Sequence, residues 1–334
     1  MLILGIESSC DDAAAAVVET TTPGVVTVRA SSVANQDDIH RAYGGIVPEL
    51  ASRNHVITIV PLIERAVKTA GCTLGDVDGV AVTRGPGLVG SLLVGLMCAK
   101  GLVQATGKPM VGVNHIEGHI LAPLIEQRVA FPFLALVVSG GHTALFAVED
   151  FGRYRRLGRT RDDAAGEAFD KVAKLLGLGY PGGRIIDDLA RAGNRRRVRF
   201  PRAHVRGAPM DFSFSGIKTS VATLLRSEAR PIAPQADVAA SFQEAVVDML
   251  VKPTLAAARD LDVDTIALTG GVAANSRLRE KLTAVAGDDG RRVVAPSPKF
   301  CTDNAAMIAL AGSYRLLRGE RDDLAIDAEA NLAL

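Results

Sequence analysis

The sequence predicts an α/β protein of two lobes, each built from one βββαβαβ unit, with a ligand cleft between them. Two observations carry this. The order of strand-like and helix-like segments in the first 128 residues recurs from residue 129 onward. Within it, Ala81-Val82-Thr83-Arg84-Gly85 and Ala267-Leu268-Thr269-Gly270-Gly271 each read as a buried strand ending in Thr, then a glycine turn and a helix. The 334 residues suffice for lobes at 1–128 and 129–334, the second carrying an Arg-rich insertion at about 177–213. A chance succession of ordinary α/β segments is the alternative at this level.

Residues 2–6 and 13–18 read as strands around the small polar turn Ser8-Ser9-Cys10-Asp11-Asp12, and 25–33 follows Thr22-Pro23-Gly24 to complete a meander. An early proline, Pro48, and apolar Leu50, Val56, Ile59, Ile63 and Val67 predict a helix to about residue 70. Strand 79–83 enters the turn Arg84-Gly85-Pro86-Gly87, helix 89–105 follows, and strand 110–113 leads into a short helix holding His115 and His119. The second copy starts with strands 133–138 and 143–148 around Ser139-Gly140-Gly141-His142, a third strand at 154–160 and a helix at 164–176. Tyr180-Pro181-Gly182-Gly183 reads as a rigid turn. Helices 215–226 and 238–260 then precede strand 265–269, helix 275–286, strand 292–295 and helix 304–317.

Composition narrows the function classes. Lys plus Arg total 38 against 37 for Asp plus Glu, so nucleic-acid contact must rest on a local patch. Residues 191–206 supply one, with Arg191, Arg195, Arg196, Arg197, Arg199, Arg202 and Arg206; a solvated loop is the plainer reading. Four cysteines without a CxxC pair suit a reducing compartment. Glu7, Asp11 and Asp12 break the apolar start, so it reads as a buried strand and not as a secretion signal. Residues 88–103 carry Lys100 and three glycines and fall short of a span, so no membrane association and a cytoplasmic location are expected.

His115 and His119, at i and i+4, project from one helix face and can reach one divalent cation; a capped helix whose histidines pack or meet solvent fits the same spacing. Asp303 is a candidate third ligand, or simply an acid near a helix N-cap. The turns at Gly140-Gly141 and Gly270-Gly271 let backbone N–H groups approach phosphate or ribose oxygens, although tight turns need glycine anyway. Carboxylates in the turn from Glu7 to Asp12 suit cation coordination or general-base work, or a hydrogen-bonded cap on the meander. Asp162, Asp163, Glu167 and Asp170 offer an acidic helix face for ribose hydroxyls or an amine, or lysine pairing.

In combination, seven ordered segments resemble the bacterial tRNA adenosine threonylcarbamoyltransferases, the TsaD type. They are Gly5-Ile6-Glu7-Ser8-Ser9-Cys10-Asp11-Asp12, Gly44-Gly45-Ile46-Val47-Pro48-Glu49-Leu50-Ala51-Ser52-Arg53, Asn114-His115-Ile116-Glu117-Gly118-His119, Val138-Ser139-Gly140-Gly141-His142-Thr143, Asp163-Ala164-Ala165-Gly166-Glu167-Ala168-Phe169-Asp170-Lys171, Gly270-Gly271-Val272-Ala273-Ala274-Asn275 and Cys301-Thr302-Asp303-Asn304. The resemblance implies the two-lobed actin-like, Hsp70-like, sugar-kinase-like (ASKHA) fold. It implies acyl transfer of a threonylcarbamoyl group from threonylcarbamoyl-AMP to the exocyclic amine of the adenosine 3′-adjacent to the anticodon, in tRNAs reading codons that begin with A. By position, His115, His119 and Asp303 resemble the metal ligands, with Fe2+ expected first and Zn2+ as the alternative. Val137, Val138, Ser139, Gly140, Gly141, Asp170, Gly183, Asp187 and Asn275 resemble the adenylate-binding set, and Asp11 a catalytic acid near the reacting end. The implied partners are tRNA, a degenerate paralogue bound through the N-terminal lobe and a small P-loop ATPase; the apolar helix from Leu88 to Ala105 is a candidate surface for the paralogue, with buried packing inside the lobe an equal alternative. Two departures stand out: residues 326–332 lack an Arg-Trp or Arg-Pro tail, and Asp12 replaces a Glu found in some relatives.

Rival readings are an ATPase or kinase of the same superfold, a nucleotide-binding scaffold and a metallopeptidase. The last is disfavoured because Glu117 stands two places after His115, where the zincin pattern needs an acid directly after the histidine.

Overall fold

The apolar N-terminal run becomes the middle strand of a five-stranded sheet. In this computed structural model, which describes residues 1–22, 25–227 and 233–334, β1 (Leu2–Glu7) pairs antiparallel with β2 (Ala13–Thr22), and β2 with β3 (Val25–Ala34). Pro23 and Gly24 of the expected turn lie outside the described residues. After α1 (Asp37–Arg41) and α2 (Pro48–Thr69), β4 (Gly79–Gly85) runs parallel to β1, and after α3 (Val89–Thr106), β5 (Met110–Asn114) runs parallel to β4. The order is β3-β2-β1-β4-β5. Strand β1 is buried on both faces from Ile3 onward, as its unbroken apolar run requires.

Helix α3 is the one described helix long and apolar enough to cross a membrane. Here it packs on β4 and α2, burying Ser91, Leu92, Gly95, Leu96, Ala99 and Val103, and it ends where Gly107 turns left-handed. Its glycine spacing has a local cause. A Cβ on Gly95 would sit 2.3 Å from Ser8 Oγ, and Ser8 Oγ donates to the Ser91 carbonyl at 2.9 Å, so the helix clamps the acidic turn after β1.

The second sheet repeats the first. After α4 (His115–Leu121) come β6 (Phe133–Val138), β7 (Thr143–Asp150) and β8 (Arg153–Arg159), then α5 (Ala165–Leu175), α6 (Gly182–Ala190), α7 (Ser215–Arg226) and α8 (Gln235–Asp260). Strand β9 (Thr265–Thr269), α9 (Ser276–Asp288) and β10 (Arg292–Val294) complete an order of β8-β7-β6-β9-β10, matching the first sheet strand for strand. Strand β6 is antiparallel to β7 and parallel to β9, as β1 is to β2 and β4. The turn expected at residues 180–183 runs on into helix α6, for which no helix was expected; Pro181 stands at its N-cap. Asp170 Oδ1 accepts from the Gly182 N–H at 2.8 Å, and Ile186, Asp187 and Ala190 are buried in a helix packed on α5 and α8, so tertiary contacts fix its start and its buried face.

The chain then returns to the first sheet. Helix α10 (Pro298–Cys301) and α11 (Ala305–Leu317) follow β10, and α11 is buried at every position except Arg315 and Leu317. It packs on β1, β2, β4 and β5, so closely that a Cβ on Gly5 would meet the Ala305 carbonyl oxygen at 2.2 Å and one on Gly312 the Ala81 Cβ at 2.2 Å. The two compact units are therefore 1–128 with 296–334, and 129–295. This differs from the expected division at 128/129, which left residues 296–334 in the second lobe. The apolar faces of α11 and of the first sheet bury one another.

Candidate metal centre and glycine turns

Helix α4 starts at Asn114, whose side-chain oxygen accepts from the N–H groups of Ile116 at 2.8 Å and Glu117 at 3.4 Å. This cap fixes the turn that carries His115 and His119, both buried, with ring centroids 4.7 Å apart and planes at 85°. Asp303 precedes α11 and is placed by Asn304, whose side chain accepts from the Met307 N–H. A single oxygen, Asp303 Oδ1, lies 3.1 Å from His119 Nε2 and 3.6 Å from His115 Nε2. One ligand atom from each residue falls within 4.8 Å of the others, so this group could hold a metal ion.

Behind the cluster, His115 Nδ1 lies 3.0 Å from Glu7 Oε2 and 3.1 Å from Ser9 Oγ. Glu7 is itself fully buried and held: Thr83 Oγ1 donates to Oε2 at 2.6 Å and the Ser9 N–H to Oε1 at 2.5 Å. A carboxylate on one imidazole nitrogen turns the other toward the ligand position and raises its basicity. Neither Glu7 as a partner of His115 nor Thr83 as the support of Glu7 was expected. Glu7 stood out only as part of an acidic turn, and Thr83 only as the strand-ending Thr of the repeated segment.

The electrostatics of the cluster favour a cation. Burial alone would lower the His115 imidazole, but the charges of Glu7 and Asp303, with the hydrogen bond to Glu7, raise it to about 9. Burial alone would raise Glu7, yet His115 and the Thr83 hydroxyl hold it below its ordinary value. Burial and the Asp303 charge push the Asp11 carboxyl up, although its contact with Cys10 works the other way. Burial, then Asp303 and Asp11, push Asp12 up to about 8. Two carboxylates, Glu7 and Asp303, thus flank the His115 imidazole, and the acids of the preceding turn feel the Asp303 charge. A divalent ion in place of the imidazole's added proton meets two imidazoles and a carboxylate, a donor set that fits iron or zinc.

The adenylate-set residues all lie in the unit of residues 129–295. Val137 and Val138 end β6, and Val137 pairs with Thr269, the end of parallel β9, so the two glycine turns leave the carboxyl ends of neighbouring strands. Gly270 adopts φ +93 and packs where a Cβ would meet the Val138 carbonyl oxygen at 2.4 Å. The Ser139 N–H donates to the His142 carbonyl at 2.7 Å, closing the hairpin, while a Cβ on Gly140, Gly141 or Gly271 would enter open space. Asp170 braces the first turn of α6, where Gly183 sits. Asp187, also on α6, accepts from Ser276 Oγ at 2.8 Å, and Asn275 caps α9 while donating to Gln243 Oε1 at 2.9 Å. Helix caps and braces therefore fix Asp170, Asp187 and Asn275, the last of them directly after the 270–274 turn. The acidic face at residues 162–167 is used otherwise: Asp163 pairs with Lys171 and Lys218, Glu167 pairs with Lys171, and Asp162 accepts from Ser213, Phe214 and Ser215.

A family model described as TsaD, tRNA N6-adenosine threonylcarbamoyltransferase, matches residues 27–310. A protein of that name from Anaeromyxobacter dehalogenans (strain 2CP-C) is 56% identical over 322 residues, covering 96% of this chain and 95% of the relative. The corresponding protein from Syntrophotalea carbinolica is 52% identical over 336 residues, covering 100% and 97%. Among solved structures, full-length HypF in its phosphate- and nucleotide-bound form aligns with a TM-score of 0.61 at 14% identity, covering 93% of this chain and 54% of that one. Component A of (R)-2-hydroxyglutaryl-CoA dehydratase from Acidaminococcus fermentans aligns with a TM-score of 0.54 at 15% identity, covering 95% and 99%. These likenesses bear on the fold alone, which is the actin-like ASKHA class. From the family match and the extent of identity with its curated members, the chain belongs to the tRNA N6-adenosine threonylcarbamoyltransferase family.

Proposed function

We propose that the protein transfers the threonylcarbamoyl group of threonylcarbamoyl-AMP to the exocyclic amine of the adenosine 3′-adjacent to the anticodon, in tRNAs reading codons that begin with A. The observation that carries this reading is the cluster of buried His115 and His119 with half-buried Asp303, in a chain 56% identical to a curated member of the family. The three residues hold one divalent ion, Fe2+ in preference to Zn2+, since two imidazoles and one carboxylate with open positions form the facial arrangement that suits Fe2+. When bound, the ion supplies Lewis-acid stabilisation of the charge that develops on the donor.

The chain's own residues orient and exchange protons. Val137, Val138 and the turn Ser139-Gly140-Gly141 present backbone groups to the adenylate, with Asp170, Gly183, Asp187 and Asn275 shaping its seat. The adenosine amine attacks the carbamoyl carbon, the bond from that carbon to the phosphate oxygen breaks, and AMP leaves. Asp11 takes the proton released by the amine, and its carboxyl, raised by burial and Asp303, is a stronger base than an ordinary aspartate. The amine is a weak nucleophile, so positioning carries much of the rate.

The partners proposed are tRNA, threonylcarbamoyl-AMP, a degenerate paralogue and a small P-loop ATPase, in the cytoplasm. An exposed apolar face supports the paralogue contact: Val56, Ile57 and Val60 on α2, with Val89, Leu93 and Met97 on α3. Reconstitution with threonylcarbamoyl-AMP and tRNA, followed by mass spectrometry of the tRNA nucleosides, tests the activity. Modified adenosine should form with the parent protein and not with His115→Ala; equal product from both would remove the metal site from the reaction, and ATP hydrolysis surviving without product would favour the kinase or ATPase reading.

A further inference from the structure

The Arg-rich segment between α6 and α7 is held along α8. The Asn194 N–H donates to Asp237 Oδ1 at 2.7 Å, the Val198 N–H to Ser241 Oγ at 3.1 Å, and Arg202 Nε to Asp248 Oδ2 at 3.0 Å. Asp237, Ser241 and Asp248 stand at i, i+4 and i+11, on one helix face. Gly193 lies where a Cβ would meet the Ala236 carbonyl oxygen at 2.0 Å, and Phe200 is buried, so the backbone follows a fixed path. The arginines between these anchors are presented from a pre-ordered loop, which lowers the entropy cost of binding.

The segment forms one wall of a cavity of about 870 Å3, lined by seven cationic and two acidic side chains, with Lys252, Arg277 and Lys281 facing it from α8 and α9. The two acids are already engaged: Glu244 pairs with Arg277 and Lys281, and Asp248 with Lys281 and Arg202. Arg195, Arg196, Arg199 and Lys252 are exposed, and among the described residues none of them pairs with a carboxylate. Such a like-charged cluster costs self-repulsion and is relieved by a polyanion. A second cavity of about 340 Å3 shares Arg195, Glu244 and Arg277 with the first and reaches Gln243, which bonds Asn275 of the adenylate set.

We propose that this cavity is a docking surface for the phosphate backbone of tRNA, with Arg195, Arg196, Arg199 and Lys252 as the neutralising cations. The inference rests on the tRNA reading above and assigns the contact to a rigid loop on α8. It distinguishes these cations from Arg155 and Arg156, both exposed on edge strand β8, where charge also guards a sheet edge.

The test is tRNA binding by the full chain across a KCl series. For the Arg195→Ala, Arg196→Ala, Arg199→Ala, Lys252→Ala variant, the slope of log K against log [salt] should become shallower by about 3, with affinity at least about tenfold weaker at low salt. Arg→Lys at the three arginine positions should keep the slope, because point charges suffice for phosphate. Arg155→Ala with Arg156→Ala should leave it unchanged. An unchanged slope in the quadruple variant, with threonylcarbamoyl-AMP binding and the thermal transition preserved, overturns the proposal, as does an equal loss in the β8 variant. Binding of poly-glutamate that is lost in the quadruple variant while the tRNA slope persists would instead assign the cavity to an acidic protein, again overturning it. If the unmodified protein binds no tRNA, the activity reading falls as well, an outcome distinct from normal binding with an unmoved slope.

Discussion

The two sheets have the same strand order and carry opposite chemistry at equivalent places. The end of β1 and the turn after it hold Glu7, Asp11 and Asp12, buried or half-buried, while after β6 the equivalent turn is Ser139-Gly140-Gly141 and offers backbone groups. Strand β4 ends in Arg84-Gly85 and continues as Pro86-Gly87, whereas after β9 the chain continues as Gly270-Gly271. One copy thus concentrates negative charge suited to a cation, and the other clears space suited to a phosphate or ribose. The β-scaffold does not select between them; turn length, Cβ content and ionisable groups do.

Removing the charge centre of the first copy should have the largest effect. His115→Ala or Asp303→Ala is expected to abolish bound metal in elemental analysis and to lower turnover by at least about 100-fold; the thermal transition should move little in Asp303→Ala and fall in His115→Ala, which strips buried Glu7 of its partner. The matching break in the second copy is conformational: Gly270→Ala introduces a Cβ at φ +93 against the Val138 carbonyl and should cost about 3 kcal/mol in urea unfolding. Gly140→Ala, in open space, should leave stability within about 0.5 kcal/mol and weaken donor binding only. Equal stability losses from the two substitutions would contradict this division of roles.

Glu7→Gln sharpens the comparison further. It keeps the shape next to His115 but removes the charge, so metal affinity measured by chelator competition should fall about 10- to 100-fold. A modest, pH-dependent effect is expected at Glu244, which ties α8 to α9 in the second copy. Burial would raise its carboxyl, but Arg277 and Lys281 hold it down at about 2. Its folded-state value lies below the unfolded one, so the contribution is complete above about pH 5 and is lost as pH falls from 4.5 toward 2. Partial solvent exposure limits it to about 1 kcal/mol. In Glu244→Gln the acid-side slope of stability against pH should flatten.

Much of the fold was legible because it depends on local pattern. Alternation and unbroken apolar runs placed the strands, Pro48 and the apolar spacing placed α2, and the Thr-ended strand followed by a glycine turn disclosed the second copy. The i, i+4 spacing also put His115 and His119 on one face. Helix α6 was hidden because it is short and opens on Pro181 and two glycines, which read as a turn; the Asp170 bond and packing on α5 and α8 fix its start and its buried face.

The sequence by itself determined the strand and helix periodicity, the repeated order and the residue types that can bind a cation or clear room for a nucleotide. Tertiary structure alone decided that α11 returns to the first sheet, bringing Asp303 within 3.1 Å of His119, and that Glu7, held by Thr83, orients His115. Those contacts join residues 76 to 184 positions apart. They arise from burial of whole faces, Gly5 against Ala305 and Gly312 against Ala81, which no local pattern encodes.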